Sequence, residues 1–333
     1  MKKILNSPDD YVEEMLQGLV AAHPQAFARR GDDGRVIARP GGAVAGKVGI
    51  VTGGGSGHLP VFLGYVGQGL LDACAVGNVF AGPRVADCQL AAQAADGGAG
   101  VLFLYGNYGG DRMNFEMAQE FLELDGVPCA SVRVADDVAS AAAAESDKRR
   151  GVAGMVYAFK CAGARAAEGA SLAEVAAAAR KAAGACRSIG VALTPCVVPE
   201  SGKASFAIAD DEIEFGMGIH GEPGIWRGKL KSADALAQEM LDRLLPELDL
   251  PRGSRVAVLL NSLGATPHEE LYILYRHVAR VLGDLGATPV MPLVGRYATS
   301  MEMTGASLTL MPLDAELERL LAAPADCPFW RVG

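Results

Sequence analysis

What this 333-residue chain lacks narrows its possible functions first. No uninterrupted apolar run reaches ~18 residues, so no membrane-spanning helix is expected. There is no excess of positive charge: 30 Lys and Arg stand against 39 Asp and Glu, with the signs interspersed. A net charge of −9 argues against nucleic acid or an anionic membrane surface as the main partner. Cysteine is sparse and unpatterned. Cys74, Cys88, Cys129, Cys161, Cys186, Cys196 and Cys327 are odd in number, with no CxxC pair and no Cys/His cluster at metal spacing. Reduced thiols in a cytoplasmic protein are expected, and no metal site. The opening "MKKILNSPDDYVEEML" carries acids where a secretory signal needs an apolar core.

What is abundant is small and apolar. Half the residues are hydrophobic and 42 are glycine, as in tightly packed α/β proteins. The length fits two domains, or one large domain with an addition. Ser7-Pro8 predicts a helix start, with Ser7 as N-cap and Pro8 in the first turn. The Gly/Arg/Pro-rich stretch from 29 to 46 is expected to loop. "KVGIVT" (47–52), "GVLFLYG" (100–106) and "CASVRV" (129–134) read as buried strands, and "MNFEMAQEFLEL" (113–124) as a helix. Strands alternating with helices predict a mostly parallel sheet flanked by helices. Ser171 and Glu174 are spaced as a capping box for a helix to Cys186. Beyond it the texture becomes strand-rich, which places a domain boundary near 187: residues 1–187, then a smaller α/β domain over 188–333.

Three glycine-rich stretches carry the candidate chemistry. "IVTGGGSGHLPV" (50–61) follows a strand, as a ligand-binding turn would. It is not a dinucleotide fingerprint, because Pro60 stands where the last glycine belongs. It is not a hydrolase elbow, because His58 replaces the closing glycine. "GGAVAGKV" (41–48) resembles a P-loop, but Val48 replaces the magnesium-binding hydroxyl and a strand follows it. What remains is a set of backbone N–H donors with His58 beside them, and Pro60 opening the next helix; a plain βα turn explains it as well. "YGNYGGDRMNF" (105–115) repeats the design, and Asp111 is either a helix N-cap or a general base toward a hydroxyl. "EFGMGIHGEPGI" (214–225) places His220 in extended chain among glycines that clear space around its ring. That imidazole is structural, a nucleophile, a base or a metal ligand, although no other His or Cys stands at ligand spacing.

Taken together, "GGGSGHLP", "NYGGDxxNF" and "FGxGIHGEPG" resemble the substrate-binding K subunit of the dihydroxyacetone kinase family. The resemblance runs end to end, through "GYVGQGLLDA", "RRGVAG", "NSLGATPHEELY" and "YATSMEMTGASLTL". It implies two α/β domains, the second supplying the histidine, in a homodimer. It implies that His220 attacks a ketone carbon and holds the substrate as a hemiaminal, while Gly55, Ser56, Gly57 and His58 line the pocket. His58 would hydrogen-bond the substrate, and Asp111 would be the base for the hydroxyl that receives phosphate. It also implies that this chain binds no cofactor: ATP, or ADP recharged by a phosphotransferase-system component, and magnesium would sit on a separate L subunit.

Two positions depart from the family pattern. Gly106 stands where a Lys is usual and Leu59 where a Glu is usual. The lost lysine is expected to open volume, admitting erythrulose or apulose in place of dihydroxyacetone; a subfamily difference without change of substrate is the alternative. A ketone sensor acting with a transcription factor is a further alternative, against which the presence of Asp111 and His58 weighs. An isomerase or aldolase would need a Schiff-base lysine. Lys160, beside the β-like run "MVYAFK", has no neighbours in sequence that would shift its pKa. Phe80 is a cover for the substrate or core, Trp226 a pocket rim or subunit contact, and "DKRR" (147–150) a solvated helix end or a patch for an acidic partner.

Overall fold

A computed structural model describes residues 2–333. Helix α1 covers Tyr11–Ala22, later than Ser7-Pro8 implied. The Ser7 hydroxyl instead accepts from the Asp9 N–H in a local turn, 3.3 Å, and Asp10 takes the N-cap place. The first sheet holds β1 (Ala28–Arg30), β2 (Val36–Ala38), β3 (Gly49–Ser56), β4 (Ala73–Val79), β5 (Val101–Gly106) and β6 (Cys129–Val134), in the order β1-β2-β4-β3-β5-β6. β4, β3, β5 and β6 run parallel, as expected, and β2 is antiparallel to β4. β1 and β2 correct the expectation of a loop over 29–46: Val36 and Ile37 are buried β formers that, with buried Ala38, extend the sheet.

Alternation decides the faces. Val101, Phe103 and Tyr105 of β5 pack with helices α2 (Val85–Ala95) and α3 (Gly109–Leu124). Leu102 and Leu104 face the other way, toward α4 (Gly154–Ala167) and α5 (Leu172–Ala185). The Ser171–Glu174 capping box opens α5 as predicted.

The second sheet holds β7 (Arg187–Thr194), β8 (Glu212–Phe215), β9 (Trp226–Lys229), β10 (Arg255–Ser262), β11 (Thr288–Gly295) and β12 (Thr304–Leu313), ordered β11-β10-β12-β7-β8-β9. Only the β10–β11 pair is parallel. Ala257 and Leu259 point toward α4 and α5, whereas Val256, Val258 and Leu260 face α6 (Ala233–Leu244) and α7 (His268–Asp284). The result is five layers: α2/α3, sheet, α4/α5, sheet, α6/α7. Each leucine or valine fully buried between them contributes about 1.5–3 kcal/mol. Helix α8 (Ala315–Ala322) joins the central layer, and the β13–β14 hairpin (Ala325–Cys327, Trp330–Val332) closes the tail.

The central layer overturns two sequence readings. Lys160 lies on α4, not beside a strand, and its buried ammonium donates to the Leu320 carbonyl at the end of α8, 2.6 Å. Burial pulls its pKa down to about 8. Arg149, read as part of a solvated helix end, is 1 % exposed and forks onto Glu247 at 2.6 and 2.7 Å. Among the described residues no helix is long and apolar enough to cross a membrane.

Candidate active site

β3 runs through the glycines to Ser56, so the turn begins later than the sequence suggested. Crowding explains this. A Cβ on Gly53 would meet the Ala75 carbonyl at 2.6 Å, and one on Gly55 the Phe80 and Ala81 backbone at 2.7–2.9 Å. A Cβ on Gly54 would overlap the Phe62 ring. These glycines admit neighbouring protein rather than a ligand. The Ser56 hydroxyl donates to the Gly77 carbonyl, 2.8 Å. Only Gly57 needs its freedom for the turn itself, at φ +102°. Pro60 does not open an α-helix; residues 59–62 turn into a single 3-10 turn at Leu63–Tyr65.

The turn is clamped from the second sheet's side. The Met301 N–H donates to the Gly57 carbonyl, 2.7 Å, and the Thr299 hydroxyl to the Leu59 carbonyl, 3.0 Å. His58 is 1 % exposed, and its Nδ1 lies 2.6 Å from the Thr299 carbonyl. A carbonyl can only accept, so Nδ1 carries the proton and Nε2 keeps its lone pair. Nε2 is buried without a partner. Burial, then the neighbouring His220, pushes the His58 pKa down to about 3, so the ring is neutral.

His220 arrives from the second sheet, in a turn rather than extended chain. Gly221 donates to the Gly218 carbonyl, 3.0 Å, and adopts φ +88°. The ring is caged by aromatics. Its centroid is 4.8 Å from His58, 4.8 Å from Tyr108 and 5.5 Å from Phe80, each edge to face. Phe80 stacks on His58 at 4.9 Å. Its φ of +56° is unusual for a phenylalanine. Among the described residues four non-glycines have positive φ, and Phe62, Phe80 and Met301 lie against this turn. Such strain clusters at functional sites.

Asp111 is not the N-cap of α3. Tyr108 holds that place, and Asp111 sits in the first turn. Its Oδ1 is buried and has no partner. Burial raises its pKa to about 6, against the pull of His220. The Tyr108 hydroxyl is likewise buried and unpartnered.

The space expected at Gly106 is filled: a Cβ there would stand 3.2 Å from the Met155 sulfur and 3.3 Å from the Tyr108 ring. Leu59 lines a cleft of about 400 Å³ with Lys3, Tyr11 and Arg296, into which none of His58, Asp111 and His220 opens. Trp226 is neither rim nor free contact. It stacks on Phe215 at 5.5 Å and donates to Glu239 at 2.7 Å, tying β9 to α6. The residues passed over in sequence are Tyr108, Glu222, Thr299 and Met301. Glu222 stood two places from His220, and Tyr108 three from Asp111, so spacing alone could have raised both.

A two-sheet protein in which the His58 and His220 rings meet at the seam, with Asp111 in the field of His220, matches one family model. The Dak1 domain model covers residues 17–329, and the chain belongs to that family. It is 45 % identical over 332 residues to the dihydroxyacetone-binding subunit of PTS-dependent dihydroxyacetone kinase 2 of Listeria innocua, covering 100 % of both chains. It is 42 % identical over 339 residues to a D-erythrulose kinase of Mycolicibacterium smegmatis, covering 100 % of this chain and 57 % of that one. Among solved structures it is similar to the native dihydroxyacetone kinase of C. freundii, with a TM-score of 0.88 and 32 % identity. That match covers 99 % of this chain and 60 % of the kinase, so the chain spans about three fifths of those longer relatives.

Proposed function

We propose that this chain is the ketone-binding subunit of a dihydroxyacetone-type kinase, a phosphotransferase with an alcohol acceptor. The supporting observation is a caged histidine, His220, packed against His58 and electrostatically coupled to Asp111, with two buried polar atoms that lack partners, His58 Nε2 and Asp111 Oδ1. A buried polar group without a partner costs free energy, so such atoms mark places where a substrate completes the bonding. In this reading His220 bonds covalently to the carbonyl carbon. His58 Nε2 accepts from a substrate hydroxyl, and Asp111 takes the proton of the hydroxyl that receives phosphate. Phe80, Gly57 and Gly106 wall the pocket, with Gly55 and Ser56 behind the turn. Covalent capture selects ketones over glycerol by chemistry rather than by fit.

The phosphate donor comes from outside: an L-type subunit carrying nucleotide and magnesium, or fed by a phosphotransferase system as the name of the Listeria relative states for that protein. The chain acts as a homodimer in this reading. Seven unpaired cysteines support a reducing compartment, the cytoplasm. Erythrulose is the second candidate substrate, supported by the match of this whole chain to 57 % of the Mycolicibacterium kinase. Gly106 adds no open space to that case.

The test uses dihydroxyacetone and erythrulose labelled with carbon-13 at the carbonyl. On binding, the ketone resonance should move to the tetrahedral-carbon region, and His220→Ala should abolish the shift. An unshifted ketone signal with saturating protein would refute covalent capture. Comparing the two ketones names the substrate, and turnover with a donor subunit separates a kinase from a sensor.

A further inference from the structure

Glu222 touches His220 twice. Its Oε1 lies 2.9 Å from the ring Nδ1, and its Oε2 accepts the backbone N–H of the same residue at 2.9 Å. One carboxylate therefore bridges the ring and the main chain of His220. It closes the turn as well, since the Gly218 N–H donates to the Glu222 carbonyl at 3.1 Å. Gly218 leaves the room: a Cβ there would strike the Glu222 carboxylate and the Arg150 guanidinium.

Behind Glu222 stands Arg150, whose Nη1 is 3.9 Å from Oε2. Arg150 is itself fixed. It donates to Asp137 at 2.8 and 3.0 Å and to the Gly216 carbonyl at 3.3 Å. Asp137 and Arg150 come from the loops after β6, whereas Glu222 and His220 come from the second sheet. Burial pushes the Glu222 carboxyl up, but the hydrogen bond and charge of His220, with Arg150, pull it down to about 2.

We propose that Glu222, held by Arg150 and Asp137, is the positioning carboxylate that fixes His220 with its proton on Nδ1 and its lone pair on Nε2. The proposal rests on the reading of His220 as the ketone-capturing nucleophile. In that step the Nε2 pair forms the C–N bond and the carbonyl π pair moves to oxygen. The oxygen takes one proton from solvent, and the ring is left as an imidazolium. The ionised Glu222 faces that new positive charge through the Nδ1 hydrogen bond, so it stabilises the adduct more than the free ketone. Arg150 keeps the carboxylate from swinging off the ring.

Two measurements decide the matter. The first is the nitrogen-15 spectrum of His220 in the unliganded wild type, recorded at alkaline pH. The expected signature is a proton on Nδ1; a ring protonated on Nε2 overturns the proposal, and needs no variant. The second is the equilibrium constant for adduct formation by Glu222→Gln, read from the carbon-13 signal. An amide can turn its NH₂ toward Nδ1 and move the ring proton to Nε2, so the constant should fall at least about tenfold. An unchanged constant in a folded variant overturns the positioning role while leaving covalent capture intact. Absence of any adduct in the wild type removes covalent capture instead, and the nitrogen-15 tautomer still decides whether Glu222 sets the ring.

Discussion

Burial suits Asp111 to the base role proposed for it. A carboxyl that titrates near 6 is a stronger base than an exposed one, yet is still ionised at neutral pH. Asp111→Asn should lower kcat by roughly 10²–10⁴-fold, with the adduct on His220 still formed. In the wild type, kcat should fall on the acid side as pH drops through about 6. His58, neutral down to about 3, should add no step there. Stability carries the same signature with a defined sign. The folded pKa lies above the ordinary 3.8, so the favourable contribution of Asp111 is complete below 3.8 and lost as pH rises through about 6. Asp111→Asn should therefore melt higher than wild type at pH 8, with the gap closing by pH 4. At this scale the sequence was partly legible. His58, Asp111 and His220 stand out because glycine-rich turns surround them. Thr299 does not, because it orients His58 through its carbonyl, which any residue would supply.

Among the elements, the join between α4 and β7 rests on one carboxylate. Asp136 is fully buried and accepts the N–H groups of Val152 and Gly154, 2.8 and 2.7 Å, where α4 begins. It also accepts the Ser188 hydroxyl from β7. Burial raises its pKa, against those hydrogen bonds. Asp136→Ala strands two buried donors and should cost about 3 kcal/mol or more in urea unfolding. An equally stable variant would contradict this capping role. Elements governed by local chemistry, such as the α5 capping box and β5, could be read from the chain. β3 could not be read through to Ser56, because glycine is a poor strand former and only the pressure of Phe62, Ala75 and Phe80 makes it necessary. β1 and β2 were hidden for a related reason: they are three residues long, below the length at which a period-two pattern can be counted.

In the whole molecule, the two sheets are tied through Arg149 and Glu247. Glu247 also receives Arg187 at 3.2 Å. Glu247→Gln leaves the buried guanidinium of Arg149 without its charge partner and should cost about 3–5 kcal/mol in a denaturant titration. Arg149 was read as solvated because a charge run reveals nothing of what folds over it. The parallel first sheet was legible from alternation, but the order of the second was not. Four of its five strand pairs are antiparallel, and only packing selects the partners.

The clamp of Thr299 and Met301 on the 57–59 turn has a consequence for how the protein fails. His58 is oriented by a carbonyl belonging to the other half, and His220 is caged by aromatics from the first. Neither half holds a finished centre. A small parting of the two sheets, too slight to melt a helix, would free the imidazole of His58 and uncage that of His220 together. On the proposed reading, activity is thus a report on the closed seam, and a ketone held between His58 and His220 should act as a latch.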